Sequence, residues 1–343
     1  MKKVTPISER KSDHIRINLE NDVRSGVTTG LEKYRFFHRA LPEINLEDVD
    51  LGLEIFGKRL QAPILISSMT GGTQEAAKIN QNLAVAAQES GIAIGVGSQR
   101  AAIENPKLAS TFQLRKFAPE ILLFANLGAI QLNYGYGIQE CRRAVEMIEA
   151  DALILHLNAL QEAVQPEGDT RFSGLCKKIE DICRNLQVPV IAKEVGWGFS
   201  EADIHLLLDA GVSAIDVAGA GGTSWSQVEM YRAKNPSQAR LAAAFVNWGI
   251  PTADAIQNVR IIAPGLKVIA SGGLRSGVDL AKCLALGAAM GGLASPFLKA
   301  AAVSAEETIT AIHEIRDEMQ VCMFACGAKD LESMAATPLL KLS

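Results

Sequence analysis

Eight short apolar runs in this chain each end in residues that can bind or react. The ends read Ser67-Ser68-Met69-Thr70-Gly71-Gly72, Gly97-Ser98-Gln99-Arg100, Asn126-Leu127-Gly128 and His156-Leu157-Asn158. The other four read Lys193-Glu194-Val195-Gly196, Gly219-Ala220-Gly221-Gly222-Thr223, Ser271-Gly272-Gly273 and Ala294-Ser295-Pro296. Ser-Gly-Gly ahead of a helix near Gly277 offers backbone N–H groups to an anion. Glycine allows close approach, and a helix start favours negative charge. Lys193 suits a Schiff base, a phosphate or the edge of a heterocyclic cofactor; an ion pair with Glu194 is the plain alternative. Ser68, Ser98 and Asn126 are neutral, which suits the rim of an uncharged heterocycle better than acid–base work. His156 precedes Asn158, Gln161 and Glu162, and could equally be a satisfied core histidine. Glu162 can ligate Mg²⁺, which takes one or two carboxylates plus substrate phosphate, or it can be a solvated acid. Arg10-Lys11-Ser12-Asp13-His14 is either a solvated terminus or an arm that folds over and brings cations to a diphosphate, joined by Arg100.

Residues so regularly placed need a repeating scaffold. The runs are 63–67, 92–96, 121–125, 152–156, 189–193, 214–218, 267–271 and 288–293, the last being the weakest. Continuous apolar runs without alternation are strands covered on both faces, hence a parallel sheet. Helical patterns lie between them, at 74–89, 105–117, 201–209 and 278–285, and a last helix at 305–325 closes the ring. Eight such units predict an α/β fold of the (β/α)₈ TIM barrel type, whose chemistry sits at the carboxyl ends of the strands. Residues 1–60 lack the rhythm. They are charged and irregular, with one short helical stretch expected at 26–37. The expected division is an N-terminal arm, 1–60, that contributes to the substrate site, and a barrel, 61–343.

Composition narrows the function. At 343 residues the chain exceeds the roughly 250 of a typical barrel, leaving room for that arm. A net charge of -4 gives no reason to expect nucleic acid or an anionic membrane surface. No apolar run of about 18 residues exists, and the start, Met1-Lys2-Lys3-Val4-Thr5-Pro6, lacks a signal-peptide core. None of the six cysteines forms a CxxC pair, and Cys322 with Cys326 make two ligands, too few for zinc. Reduced thiols in a cytoplasmic protein are the expectation.

Taken in order, the strings resemble the type 2 isopentenyl-diphosphate isomerase family from about residue 8 to 340. The resemblance rests on Arg10-Lys11-xx-His14, Ser68-Met69-Thr70-Gly71-Gly72, Gly97-Ser98-Gln99-Arg100, and His156-Leu157-Asn158 with Gln161-Glu162. It continues through Gln165-Pro166-Glu167-Gly168-Asp169, Lys193-Glu194-Val195-Gly196, Asp216-Val217-Ala218-Gly219-Ala220-Gly221-Gly222-Thr223-Ser224-Trp225, Trp248-Gly249-Ile250-Pro251-Thr252 and Ser271-Gly272-Gly273-Leu274-Arg275. The Gln-Pro-Glu-Gly-Asp and Gly-Gly-Thr-Ser-Trp strings separate this family from related flavin barrels that oxidise hydroxy acids. The resemblance implies FMN, active when reduced, Mg²⁺, and NADPH or NADH as reductant. It implies that Ser68, Met69, Thr70, Ser98, Asn126, Lys193, Thr223, Gly272, Gly273, Leu274, Ala294 and Ser295 hold FMN. It implies that Arg10, Lys11, Ser98, Gln99, Arg100, His156, Asn158 and Gln161 face a small diphosphate substrate, that Glu162 ligates the metal, and that Gln161 and His156 serve catalysis. A homo-oligomer, tetramer or octamer, is part of the same expectation.

The reaction so implied is a 1,3 proton shift across an unactivated alkene. It needs a shielded acid and a stabilised tertiary cation. No pair of pKa-tuned carboxylates is evident in the sequence, so reduced flavin is expected to move the proton, with Gln161 positioning or relaying. Two other readings stay open: a flavin oxidoreductase of a small hydroxy acid, using His156 and Arg100, and a non-enzymatic phosphate-binding barrel.

Overall fold

A computed structural model describes residues 7–69 and 71–342. The chain opens with α1 (Ile7–Glu20), a short strand β1 (Tyr34–Phe36) and a hairpin, β2 (Leu53–Ile55) and β3 (Lys58–Leu60). Next come β4 (Ile64–Ile66), α2 (Gln74–Ser90), β5 (Ala93–Gly95), α3 (Arg100–Glu104), β6 (Leu123–Gly128), α4 (Ile138–Ile148) and β7 (Ala152–His156). Then follow α5 (Ala159–Val164), α6 (Leu175–Asn185), β8 (Val190–Lys193), α7 (Glu201–Asp209), β9 (Ala214–Asp216), α8 (Trp225–Arg232), α9 (Pro236–Ala243) and α10 (Thr252–Ile262). The chain finishes with β10 (Lys267–Ser271), α11 (Gly277–Ala285), β11 (Met290–Leu293), α12 (Ser295–Ala301), α13 (Ala305–Cys326), α14 (Leu331–Ala335) and β12 (Leu339–Lys341).

Strands β4 to β11 pair in parallel and close into a barrel, β11 returning to β4. This is the (β/α)₈ TIM barrel that the eight runs predict. The runs are continuous because both faces of each strand are covered. Ile64, Leu65 and Ile66 are all fully buried, Leu65 inward and its neighbours against the helices. The interior is filled by Leu65, Ala93, Leu122, Phe124, Ala152, Ile154, Ile191, Ala214, Ile269 and Met290. The β2–β3 hairpin adds Ile55 and Leu60 to this cluster, with Phe56 edge-on to Phe124. Filled in this way, the barrel keeps its open chemistry at the other end, where β7, β8 and β10 finish in His156, Lys193 and Ser271. Capping explains why the helices begin where they do. Thr73 accepts from Ala76 N–H, and Ser200 with Asp203 makes a capping box at α7.

The first 60 residues depart from expectation. The 26–37 segment is not a helix: Gly30 takes a left-handed φ of 74°, and only a 3₁₀ turn, Leu31–Lys33, precedes β1. The helix is α1 instead. Its many charges hide the signal, and docking decides the outcome: Ile17 and Val23 pack on Val228 and Trp225 of α8. A strap after α1 is laced to the barrel by Ser224 N–H to Val23 O (2.8 Å), Ser25 N–H to Gly222 O (2.8 Å) and Ala253 N–H to Thr29 O (2.9 Å). The expected helix at 105–117 is also absent. α3 ends before Asn105, and Pro106 opens a 3₁₀ segment, Pro106–Thr111, because proline cannot continue the preceding helix.

Candidate active site

The carboxyl ends of the strands, α1 and the strap enclose a cavity of about 770 Å³, the size of a small-molecule site. Arg10, Lys11, Ser68, Met69, Ser98, Arg100, Asn126, His156, Asn158, Gln161, Glu162, Lys193, Thr223, Gly272, Gly273, Leu274, Ala294 and Ser295 all line it. Residues up to 285 positions apart in sequence, Arg10 and Ser295, are thus brought together by strand register and by the docking of α1. Gln99 is not brought there. It is fully buried behind the wall, its amide donating to Ala144 O (2.8 Å) and its carbonyl accepting from Asn126 N–H (2.9 Å). It braces β6 and cannot face a ligand. Thr70 lies outside the described residues.

One side of the cavity is glycine-rich. Gly272 and Gly273 have φ of 104° and 80°, open to glycine but strained for other residues. A Cβ on Gly272 would strike the Gly219 carbonyl oxygen, and one on Gly222 would lie 2.6 Å from Gly273 N. Ser67 Oγ and Ser68 Oγ are buried beside this cradle without a hydrogen-bond partner, a cost that a bound polar ligand would relieve. The helix after Ser271-Gly272-Gly273 does not supply the expected anion site, however. The start of α11 is capped by Ser276, and Gly277 N–H donates to Glu318 of α13 (2.6 Å). The glycine backbone itself remains as the cradle.

The facing side carries charge. Lys11 Nζ donates to Ser98 O (2.9 Å), and burial together with the neighbouring Arg10 charge pushes its pKa down to about 7. Arg100 already pairs with Glu104 (2.7 Å) and Asp169 (2.9 Å). His156 Nδ1 meets Asn126 Oδ1 at 2.8 Å. Burial, then the charges of Lys193, Arg10 and Lys11, push its pKa down to about 4. The ring is therefore neutral at pH 7 and can donate through one nitrogen only.

Between the two sides lies the segment that opens α5. Glu162 Oε1 accepts from Asn158 Nδ2 (2.9 Å), and Oε2 accepts from Gln165 Nε2 (2.5 Å) and Asp169 N–H (2.6 Å). Burial pushes the Glu162 pKa up. Asn158 Oδ1 and Gln165 Oε1 are buried acceptors without partners beside it. A carboxylate with two unmatched oxygens nearby suits a hard cation. No group of three or more His, Cys, Asp or Glu capable of holding a metal exists among the described residues, so most ligands of such an ion would come from water and substrate.

Glu229 and Arg232, which the sequence did not mark out, join His14 of the basic cluster and Trp225 beside the site. Glu229 of α8, nearly fully buried, accepts from Gln161 Nε2 (3.2 Å) and Arg232 Nη1 (2.5 Å) and meets His14 Nε2 at 3.1 Å. Burial alone would raise its pKa, but His14, Arg232 and Gln161 together hold it below the usual carboxylate range. Arg232 also reaches Glu167 (2.8 Å). Trp225 stands edge-on to His14 at 5.1 Å. The periodicity of α8 offered one signal: Trp225 and Glu229 are four apart and so share a helix face.

Residues 147–341 match the FMN-dependent dehydrogenase family. The isopentenyl-diphosphate delta-isomerase of a Nostoc species is 56% identical over 327 residues, covering 95% of this chain and 93% of that protein. The isopentenyl-diphosphate delta-isomerase of a Synechocystis species is 55% identical, covering 96% and 95%. Among solved structures, a mandelate oxidase superposes with a TM-score of 0.66 at 17% identity, covering 98% of both chains. That last likeness speaks for the barrel alone.

Proposed function

Since the chain belongs to the isopentenyl-diphosphate delta-isomerase family, on a barrel shared with FMN-dependent dehydrogenases, we propose that it interconverts isopentenyl and dimethylallyl diphosphate by a 1,3 proton shift. The cofactors in this reading are FMN, Mg²⁺, and NADPH or NADH as the reductant that keeps the flavin reduced. One observation carries the reading: a single cavity has a glycine and serine cradle on one side and Arg10, Lys11 and Arg100 on the other. That division gives a cofactor phosphate and a substrate diphosphate separate places.

FMN fits the cradle. Ser68, Met69, Ser98, Asn126, Lys193, Thr223, the Gly272–Leu274 loop, Ala294 and Ser295 would hold it, Thr70 belonging to the same proposal. Reduced FMN supplies an exchangeable proton and an electron-rich ring that can stand beside a carbocation. Mg²⁺ fits beside Glu162, which would hold it with the substrate's diphosphate. Lys11 and Arg10 bind that diphosphate from α1, and α1 with Trp225 shuts out water. The N-terminal arm, 1–60, is thereby part of the site and not only a leader to the 61–343 barrel. Arg100 helps once the diphosphate competes for it with Asp169. His156 contributes one neutral N–H or lone pair at the end of β7, a weaker role than an imidazolium grip.

Gln161 is held at both ends, its oxygen accepting from Asn158 Nδ2 (3.2 Å) and its amide donating to Glu229. An amide so fixed orients the alkene and passes proton demand to a carboxylate without carrying charge into an apolar space. The reading extends to a cytoplasmic homo-oligomer, tetramer or octamer. Among the described residues no helix is long and apolar enough to cross a membrane.

The test is direct. Purified protein with FMN, Mg²⁺, a reductant and isopentenyl diphosphate should yield the allylic isomer without consuming reductant stoichiometrically. Absence of isomer under these conditions overturns the reading. Full activity of oxidised protein without reductant overturns its reduced-flavin part.

A further inference from the structure

Behind the cavity wall lies a carboxylate that no ligand reaches. Asp216 stands opposite Lys193 in the β8–β9 register, as His156 stands opposite Lys193 on the other flank. Lys193 and Ser271 line the cavity, whereas Asp216 is fully enclosed behind them. Asp216 Oδ1 accepts the Ser271 hydroxyl at 2.5 Å. Its Oδ2 has no hydrogen-bond partner and lies 3.5 Å from Lys193 Nζ. The ammonium itself donates to Glu194 O at 2.8 Å.

We propose that Asp216 is a positioning residue that acts through Lys193, keeping its ammonium charged and aimed into the cavity, and so tunes the FMN bound there. The inference rests on the FMN reading above and deepens it.

Burial disfavours a charged lysine, and an opposite charge within about 4–6 Å restores it. Each charged neighbour of Lys193 can be weighed. His156, on β7, is neutral. Arg10 and Lys11, on α1, reach this region electrostatically, as their effect on His156 shows, and they oppose a further cation. Glu194, next along the chain, has turned its carboxyl back onto the N–H groups of Val195 (2.7 Å), Gly196 (2.7 Å) and Trp197 (2.6 Å). Burial also pushes the Glu194 pKa up to about 7, so its charge is unreliable. Asp216, from β9, is left as the counter-ion. A positive charge beside a flavin ring is one of the means by which a protein sets its electronics.

The probe is sulfite, which adds its lone pair to oxidised FMN, needs no other reagent, and gives an anion that a nearby cation stabilises. Sulfite affinity of the FMN-loaded protein, followed by absorbance at one mildly alkaline pH, reads the charge beside the ring. Asp216→Asn should lower that affinity at least about tenfold, and Asp216→Ser makes the same prediction should the amide variant not fold. In a Lys193→Arg background, where the guanidinium stays charged, Asp216→Asn should cause no loss. Unchanged or raised affinity in the Asp216 variants, or an equal loss in the Lys193→Arg background, overturns the proposal. A parent protein that takes up no FMN instead overturns the cofactor reading on which it rests.

Discussion

Glu162→Gln separates metal binding from cofactor binding within one cavity. The change removes one negative charge and keeps the shape. A divalent ion about 4 Å from a carboxylate gains roughly 8 kcal/mol at an effective dielectric of 20, before the ion's dehydration is subtracted. Loss of even an outer contact to a bound metal typically costs about 10–100-fold, so loss of this carboxylate should raise the half-saturating Mg²⁺ concentration by at least about a hundredfold. Folding should suffer much less. The new amide oxygen can keep the two donors, Gln165 Nε2 and Asp169 N–H, that Oε2 now satisfies. Its NH₂ would then face Asn158 Nδ2, and Asn158 can turn its unpartnered Oδ1 to accept, giving up its bond to Gln161. One such bond is worth about 0.5–1.5 kcal/mol. Burial holds the Glu162 pKa above the ordinary carboxylate value. A raised acid pKa means that stability falls as pH rises from the unfolded value through the folded one, so removing the charge offsets part of the lost bond at neutral pH. The assay is isomer formation against Mg²⁺ concentration, alongside the FMN absorption band and the melting temperature. Expected are a displaced Mg²⁺ curve, an unchanged FMN band and little change in melting. An unchanged Mg²⁺ curve refutes the metal assignment, and loss of FMN refutes the separation of the two sites.

Three further outcomes are expected. Lys11, with its pKa near 7, should lose its charge as pH rises above that value, so kcat/KM for the diphosphate should decline above about pH 7; Lys11→Arg should abolish the decline, and its persistence there would exonerate Lys11. Glu229→Gln leaves Arg232 with Glu167 (2.8 Å) and the more distant Asp13 (3.9 Å) and should lower stability near neutrality by about 1–3 kcal/mol in denaturant melts. Because the Glu229 pKa is depressed, its contribution is complete above the unfolded value and is lost as pH falls through the folded one. The gap between parent and variant should therefore narrow below about pH 4, and a constant gap would mean that the carboxylate charge is irrelevant. Gly272→Ala forces a left-handed φ on a Cβ that meets Gly219 backbone, a strain of about 1–3 kcal/mol; FMN titrated by fluorescence quenching should bind at least about tenfold more weakly, and parental affinity would place the cofactor elsewhere.

The barrel was legible because each strand is buried on both faces, which leaves a plain mark in sequence: Ile64-Leu65-Ile66 or Ala152-Leu153-Ile154-Leu155 without a polar break. The polar strand ends were legible for the complementary reason, that chemistry must interrupt such runs. α1 was not, since Ile15 and Ile17 are spaced among charges and acquire their meaning only against other parts of the chain. Gln99 shows the limit of reading a strand end residue by residue. Serine and arginine beside it face the cavity, while its own side chain turns back to hold Ala144 and Asn126. Glu229 lies on the short helix α8. It is 68 residues from Gln161, and the contact exists only because α8 packs against α5.

The same barrel serves proteins that oxidise hydroxy acids, so the division between the two chemistries must lie in what this cavity adds. In the reading proposed above, Lys193 at the end of β8 and the glycines after β10 would hold FMN and would not by themselves choose between the two chemistries. A hydroxy-acid substrate carries a single carboxylate, which one arginine would satisfy. Arg100 is the candidate, and Glu104 and Asp169 already neutralise it. The remaining charge comes from α1 and the α5 segment. Among the described residues Arg10 and Lys11 make no ion pair. In the proposed reading Arg10 would bring about one positive charge, Lys11 about half of one at pH 7, and Mg²⁺ on Glu162 a net charge of about one more. That total of roughly two and a half suits a diphosphate of about three negative charges and leaves a lone carboxylate heavily outmatched. In the proposed reading the arm would thus do more than cover the barrel: with Glu162 it would set the charge of the ligand that the cavity accepts.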